Sequence, residues 1–326
     1  MNRSAACWWC GATFAVTCVM PVFAAEGVYP QRPIRLIIPQ SPGGASDTVG
    51  RTVAQKLSER LGQQLVADNR PGATGNIGAE LVANATPDGY TMLLTAPNLV
   101  TSPSLHARTG FDPVKDFAPV SQLSMSPNAW IVHPSFGARS MKELVDIAKA
   151  KPRQIDFSSS GLASTQHLAG ELLNILAGIQ LVHIPYKGGG PALIDLMAGR
   201  VPVMVSSLPS AVPQIKAGKV RALAVTSAKR SFAMPDLPTV AEATGFAGYE
   251  ASTWQGFVFP AATPRSIVQR MADETARVLG AADVRERLRD LGYEPVGSSP
   301  AQFGAYIKAE LAKWAKVIKG AGIKAE

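Results

Sequence analysis

A strand, a glycine-rich turn and a helix follow one another between residues 34 and 62, and this segment most constrains how the chain can fold. Residues 34–38 form an apolar run that predicts a buried strand, and the helix carries apolar residues on one face until Gly62. The turn at 39–47 brings glycines to the helix N-terminus, where backbone N–H groups and the helix dipole favour an anion. A single loop of this kind is nevertheless more often a tight turn that binds nothing.

Strands and helices alternate along the rest of the chain. Strands predicted at 65–66 and 90–95, with a helix between them, complete a βαβαβ unit, which implies a parallel sheet with helices on both faces. The pattern restarts after about residue 120 and returns to a strand near residue 250. We therefore predict an α/β fold of two lobes, with parallel-rich sheets flanked by helices and a ligand cleft between the lobes. The predicted division is 26–122 for the first lobe, 123–250 for the second lobe, and 251–326 for a return to the first lobe with the C-terminal helices.

The first 25 residues have the pattern of a secretory signal peptide. Arg3 precedes a mostly apolar stretch at 8–23, and small residues near Ala24 and Ala25 provide a cleavage site. A membrane anchor is the alternative, but the apolar stretch is short and interrupted. We expect export and cleavage. All three cysteines lie in this segment, so the mature protein is predicted to have no disulfide and no cysteine-ligated metal.

Composition and motifs exclude several classes of function. The net charge is +8, yet the Lys and Arg residues are scattered rather than clustered with aromatic residues, so nucleic acid is not expected as a partner. The four histidines lack the spacing of paired metal ligands, and no metal site is predicted. Neither a G-x-G-x-x-G nor a G-x-x-x-x-G-K-[ST] motif occurs, so no nucleotide cofactor is expected either.

Four predicted strand ends carry loops rich in glycine and hydroxyl groups. Because ligands of open parallel sheets bind beyond the carboxyl ends of the strands, we expect loops from both lobes to converge on the cleft. Backbone N–H groups, hydroxyls and helix N-termini there would suit a carboxylate or a phosphate without Arg or Lys. The loops are 41–47, 158–165, 186–190 and 206–207.

Some residues in these loops have a simpler structural interpretation. Asp47 is predicted first of all as the N-cap of its helix, and Trp254 as a core residue. Lys187 could equally contact an anion or be solvated. The proximity of His167 to Ser164 suggests a nucleophile with its base, but no G-x-S-x-G elbow is present, and a histidine in a first helical turn can simply hydrogen-bond there.

A set of short motifs is spread over the chain from about residue 29 to the C-terminus. They are Pro39 with Pro42-Gly43-Gly44 and Asp47, Asn69-Arg70-Pro71-Gly72, Gly75-Asn76-Ile77-Gly78-Ala79, Pro87-Asp88-Gly89-Tyr90-Thr91, Asp116-Phe117, Tyr186-Lys187-Gly188, Arg221-Ala222-Leu223-Ala224-Val225, and Pro238-Thr239-Val240-Ala241-Glu242. Together, and with their spacing, they resemble the Bug-type solute receptors of tripartite tricarboxylate transporters.

The resemblance implies a periplasmic binding protein of the two-lobed type II fold that closes on its ligand by hinge motion. Ligands in that family are mostly carboxylates, which include di- and tricarboxylates, acidic amino acids and aromatic acids. Backbone amides, hydroxyls and bridging waters hold them. The implied function is capture of a small carboxylate by a monomeric receptor, without a cofactor and without catalysis, for delivery to membrane permease subunits.

The resemblance also implies ligand contacts, carried over position by position. Those of the first lobe are Ser41, Gly43, Gly44, Ser46, Asp47, Thr95 and Asn98, and those of the second lobe are Ser158, Gly161, Ser164, Thr165, His167, Tyr186 and Ser206. Gln40 and Ser41 stand where the family varies, so the identity of the carboxylate stays open. Two alternative functions also stay open, a periplasmic sensor that signals to a membrane kinase and a periplasmic α/β enzyme.

The anion-loop interpretation makes a testable prediction. Gly44→Val should abolish ligand binding while the protein stays folded, because a branched side chain would block the close approach of a carboxylate to the backbone. Calorimetric titration with a bound acid, together with circular dichroism, measures both effects. Unchanged affinity in the variant would show that this loop is only a turn.

Overall fold

The computed structural model describes residues 29–324, so the predicted signal segment and its cleavage site lie outside the described residues. Among residues 29–324, every helix is too short or too polar to span a membrane. The elements in chain order are β1 (Ile34–Ile38), α1 (Ala45–Leu61), β2 (Leu65–Asn69), α2 (Asn76–Ala83), β3 (Thr91–Thr95), α3 (Asn98–Leu105), β4 (Phe117–Ser126), β5 (Asn128–Val132), α4 (Met141–Ala150), β6 (Asp156–Ser159), α5 (Thr165–Ala177), β7 (Val182–Pro185), α6 (Gly189–Met197), β8 (Val203–Ser207), α7 (Leu208–Lys216), β9 (Arg221–Val225), α8 (Val240–Thr244), β10 (Thr253–Pro260), α9 (Arg265–Gly280), α10 (Ala282–Asp290), β11 (Glu294–Pro295) and α11 (Pro300–Gly320).

The first sheet has the strand order β11-β4-β10-β3-β1-β2. Its strands β1, β2 and β3 are parallel, which confirms the predicted βαβαβ unit, and β10 runs antiparallel between β3 and β4. Successive side chains of β1 point to opposite faces of the sheet. Leu36 and Ile38 pack in the core formed with α1 and α9, whereas Ile37 packs in the core formed with α2 and α3. Both faces are therefore covered by helices.

The second sheet has the strand order β7-β6-β8-β5-β9. Strand β6 is parallel to β7 and β8, and β5 is antiparallel to β8 and β9. The chain leaves the first sheet after Ser126 and enters the second at Asn128, and β10 returns it to the first sheet at Thr253. Two sheets flanked by helices confirm the predicted α/β class. The residue boundaries of the lobes stay a prediction, which differs by a few residues from these changes of sheet.

Helix α5 corrects one prediction about burial. The sequence pattern predicts a buried face made of Leu168, Leu172, Ile175 and Leu176, but Ile175 is 48% exposed and Leu176 is 39% exposed. The buried stripe instead combines Leu168 and Leu172 with their immediate neighbours, and one of these is Leu173. The helix packs against α11, β8 and β6, and these contacts leave the apolar residues at its C-terminal end partly exposed.

A buried chain of hydrogen bonds ties the second sheet to α5. Trp130 on β5 donates its indole N–H to the hydroxyl of Tyr249 at 2.8 Å, and that hydroxyl donates to the carbonyl of Ala169 at 2.9 Å. Trp130 and Tyr249 are both fully buried. The hydroxyl of Tyr306, by contrast, is buried and has no hydrogen-bond partner within residues 29–324.

These two tyrosines give a matched pair of stability tests. Tyr249→Phe leaves a buried indole N–H without its acceptor, so we expect the free energy of unfolding to fall by roughly 1–3 kcal/mol. Tyr306→Phe removes a hydroxyl that bonds to nothing in the described structure, and it should be neutral or stabilising. Urea denaturation of both variants measures the difference. An equal loss in the two would mean that the Trp130–Tyr249–Ala169 chain contributes nothing specific.

Candidate functional site

A cavity of about 710 Å³ lies between the two lobes. Loops after β1 and β3 and the helix α3 form its first-lobe wall, and the loop from β6 into α5 forms its second-lobe wall. The start of β10 lies between these walls. The lining residues are Gln40, Thr74, Pro97, Asn98, Thr101, Leu105, His106, Ser160, Leu162, Ala163, Ser164, Thr165, Leu168 and Thr253.

The loop from β6 into α5 is fixed by its own hydrogen bonds. Ser164 is the N-cap of α5, where its hydroxyl accepts from the backbone N–H of His167 at 3.2 Å and donates to the carbonyl of Gly161 at 2.8 Å. Gly161 has φ +144°, a value that a side chain rarely permits. Because the first N–H groups of a helix have no intrahelical acceptor, this rigid loop offers donors at the cavity wall.

The N-terminus of α5 is also tied to both crossings between the sheets. The hydroxyl of Thr165 lies 3.0 Å from that of Thr253 at the start of β10, and the side-chain amide of Gln166 donates to Asn128 at 2.9 Å. Asn128 is the first residue of β5. The donor groups of α5 are therefore positioned by the segments about which the lobes would move.

Hydrogen bonds to the side chain of Asp47 stabilise the glycine-rich turn before α1. The Asp47 carboxylate accepts from the Gly43 N–H, from Arg51 and from Asn69, at 2.9 Å in each case. Burial disfavours the charged carboxylate, but the hydrogen bonds from Arg51, Asn69 and Gly43 outweigh it and lower the pKa of Asp47 below its usual value. The N-cap of α1 is Gly44 without a side-chain bond, so the prediction of Asp47 as the N-cap is wrong.

Three of the predicted contact residues line the cavity: Asn98, Ser164 and Thr165. Gln40 of the β1–α1 turn lines the cavity, but the predicted contacts of this turn at 41–47 lie outside the lining, and the Gly43 N–H is already bound by Asp47. The other predicted residues bond to nearby protein groups. Thr95, Ser158 and Ser206 are buried and donate to carbonyls, Tyr186 donates to Asp195, and His167 is buried behind the loop that includes Gly161.

Sequence reasoning missed the contribution of α3. Asn98, Thr101 and Leu105 lie at i, i+3 and i+7, so one face of this helix lines the cavity, and His106 follows at its end. The spacing of these three residues was the available signal. Pro103 inside the helix and the polar composition obscured it. Trp254 is fully buried, as predicted for a core residue.

Residues 49–323 match the family described as "Tripartite tricarboxylate transporter family receptor". The chain belongs to this family. It is 40% identical over 290 residues to the "UPF0065 protein in tcbD-tcbE intergenic region" of Pseudomonas sp. (strain P51), which covers 89% of this chain and 86% of the relative.

Two solved structures resemble this tripartite tricarboxylate transporter receptor over most of its length. The structure described as R. palustris Rpa4515 with adipate is 39% identical, with a TM-score of 0.74 and coverage of 91% of this chain and 100% of that chain. The periplasmic binding protein BugD is 35% identical, with a TM-score of 0.71 and coverage of 91% and 100%. These findings confirm the Bug-type resemblance, the two-lobed binding-protein fold and the periplasmic character of the family.

Membership in a receptor family also decides against the enzyme alternative. The local geometry explains why Ser164 and His167 are adjacent. The Ser164 hydroxyl accepts from the backbone N–H of His167, whereas the imidazole Nδ1 of His167 accepts from the Ala163 N–H at 3.0 Å. Both residues therefore shape the loop that lines the cavity in this receptor.

Two stacked histidines support that loop from behind. The rings of His167 and His183 lie 3.6 Å apart with an interplanar angle of 10°, and His183 Nε2 lies 2.7 Å from the Ser159 hydroxyl. Partial burial and the neighbouring ring of His167 lower the pKa of His183 to about 3. The loop of the receptor is thus built on a histidine that stays neutral in the folded protein.

This histidine predicts a pH dependence of stability. Below pH 6.5 the unfolded chain binds a proton at His183 that the folded protein binds only near pH 3, so the free energy of unfolding falls as the pH drops through this window. His183→Gln keeps a hydrogen-bonding group beside Ser159 and does not titrate. Between pH 7.5 and 5.0, urea denaturation should show that the wild type loses about 1 kcal/mol more than the variant, a value reduced for partial solvent exposure. An equal loss in both proteins would contradict the lowered pKa.

Proposed function

We propose that this receptor captures a small carboxylate in the cavity between its lobes and delivers it to the membrane permease subunits of a tripartite transporter. The observation that carries the proposal is the capped N-terminus of α5 at the cavity wall, where Ser164 and Thr165 line a space without an acidic side chain among the described lining residues. A helix N-terminus offers N–H donors and a favourable dipole to a carboxylate. The adipate reported with the R. palustris relative supports the same class of ligand.

The first proposed contacts are Asn98, Ser164 and Thr165, which line the cavity. Gly161 is added to them because it lies in the loop that leads into Ser164 and Thr165. We assign the remaining predicted contacts to the β1–α1 turn and to strand and helix ends that border the cleft and approach the ligand when the lobes close. They are Ser41, Gly43, Gly44, Ser46, Asp47, Thr95, Ser158, His167, Tyr186 and Ser206. The Gly44→Val variant therefore distinguishes two binding modes: it should lose affinity for a ligand that reaches the β1–α1 turn and keep its affinity for a ligand that contacts only α5.

The proposal includes export of the chain, removal of the signal segment near Ala24 or Ala25, and action as a monomer in the periplasm. Its first test is native mass spectrometry of the mature protein as purified, followed by denaturation to identify a released acid. Calorimetric titration with that acid then gives the affinity. An empty protein that binds no acid in a broad carboxylate panel would overturn the proposal.

Two N-cap serines provide a matched test of the α5 donors. Ser164 and Ser140 each accept a backbone N–H at 3.2 Å, but only Ser164 lines the cavity. Replacement of either by Ala should cost about 1 kcal/mol of stability through the lost cap. Ser164→Ala should also weaken carboxylate binding about tenfold, because the loop around the α5 donors loosens, a loss of ~1.4 kcal/mol. Ser140→Ala should leave the affinity unchanged, and equal affinities in the two variants would exclude α5 as the carboxylate site.

A further inference from the structure

The lining of the inter-lobe cavity carries almost no charge. Among the described residues that form it there is no Asp, Glu, Lys or Arg, and His106 is its one titratable side chain. A ligand with several carboxylates would therefore lose the hydration of each of them without a cationic partner in the lining. Each unpaired charge of this kind is costly in a site that excludes water.

The cavity instead offers apolar surface along one face of α3. Leu105 on this helix and Leu162 and Leu168 on the opposite wall contribute to the lining. Leu162 is 46% exposed, so its side chain is accessible to a ligand in the cavity. Asn98 begins α3 and His106 follows its last residue, so the two residues lie at opposite ends of this face. Eight residues at the helical rise place their backbones about 12 Å apart.

Asn98 and His106 each contain a buried polar atom that bonds to nothing else within residues 29–324. Asn98 donates its amide N–H to the carbonyl of Thr74 at 2.8 Å, which fixes its orientation, and its Oδ1 has no donor. The Nε2 of His106 is also buried without a partner. Leaving such groups unsatisfied costs about 1–3 kcal/mol each. A ligand group that reaches them after a small side-chain rotation therefore gains binding free energy from the new hydrogen bond.

We infer that the ligand is an elongated acid with an apolar body, whose polar group remote from the carboxylate pairs with His106, and that compact polyanions are rejected. The inference rests on the proposed function, because it names the class of carboxylate that the same cavity holds. His106 is then a residue that determines specificity. Asn98 at the other end of α3 hydrogen-bonds a donor on the ligand or a bridging water.

A length-matched series of acids tests this inference on the mature protein by calorimetric titration. Hexanoate has the apolar body alone, 6-hydroxyhexanoate and adipate add a remote hydroxyl or carboxylate, and citrate is a compact trianion. We expect 6-hydroxyhexanoate to bind at least about tenfold more tightly than hexanoate and citrate, which corresponds to one satisfied hydrogen bond. Adipate should bind less tightly than 6-hydroxyhexanoate, because its remote carboxylate loses more hydration, but more tightly than citrate.

Variants at His106 assign the preference to this side chain. His106→Leu should remove the advantage of 6-hydroxyhexanoate over hexanoate, and His106→Gln should restore part of that advantage because it keeps a hydrogen-bonding group. His133→Leu is the control, since His133 follows β5 of the second sheet and bonds to Ser135 outside the cavity lining.

Three results would overturn the inference, and they are distinguishable from one another. Citrate binding as tightly as adipate would show that the cavity accepts compact polyanions, while the proposed carboxylate function would stand. Equal binding of hexanoate and 6-hydroxyhexanoate, with no effect of His106→Leu, would remove His106 from the site and again leave the function intact. Failure of all four acids to bind, together with no acid released on denaturation, would overturn the proposed function and the inference with it.

Discussion

The side chain of Asn128 is the constraint on which the relation between the two lobes depends. Its Nδ2 donates to the carbonyl of Ala251 at 2.8 Å, its Oδ1 accepts from Gln166, and its backbone N–H donates to Thr226 at 2.9 Å. Asn128 is buried, so these hydrogen bonds are made away from water, where an unpaired amide would be costly. One residue thus joins the outgoing crossing, the returning crossing and the helix whose N-terminus lines the cavity.

This arrangement lets the fold position donors without charged side chains. The cap of Ser164 and the positive φ of Gly161 set the loop, while His183 behind it stays neutral because burial lowers its pKa. In the first lobe, the one ionised group of the glycine-rich turn is Asp47, and its charge is matched by Arg51, which lies four residues further along α1. The charged groups of the cleft walls are therefore paired within the walls, and the described lining of the cavity consists of hydrogen-bonding groups and apolar side chains without Asp, Glu, Lys or Arg.

The sequence predicted the fold better than the site, for identifiable physical reasons. Buried strands such as β1 and β3 are continuous apolar runs, and the glycine-rich turn between strand and helix restricts the topology to few choices. The site depends on which polar atoms of the two lobes lie close together, and a local sequence pattern does not predict contacts between distant segments. The position of Asp47 predicts an N-cap, which is wrong: Asp47 pairs with Arg51 four residues along the same helix and with Asn69, which only the fold brings to it. Helix α3 was missed because Pro103 and its hydroxyl residues weaken the helical pattern, although its face lines the cavity.

A neutral cavity also has a consequence for release, which a transport receptor needs as much as capture. Hydrogen bonds between neutral groups are strong when water is excluded and weak when water competes, so their contribution depends on whether the lobes are closed. A cavity built on Arg or Lys would keep much of its attraction for a carboxylate after opening, because charged pairs persist in partly hydrated surroundings. If Ser164, Thr165 and Asn98 hold the ligand as proposed, opening of the cleft would readmit water and exchange each contact for a comparable one. The segments at Asn128 and Thr253 that position the α5 donors would then also set the affinity of the receptor.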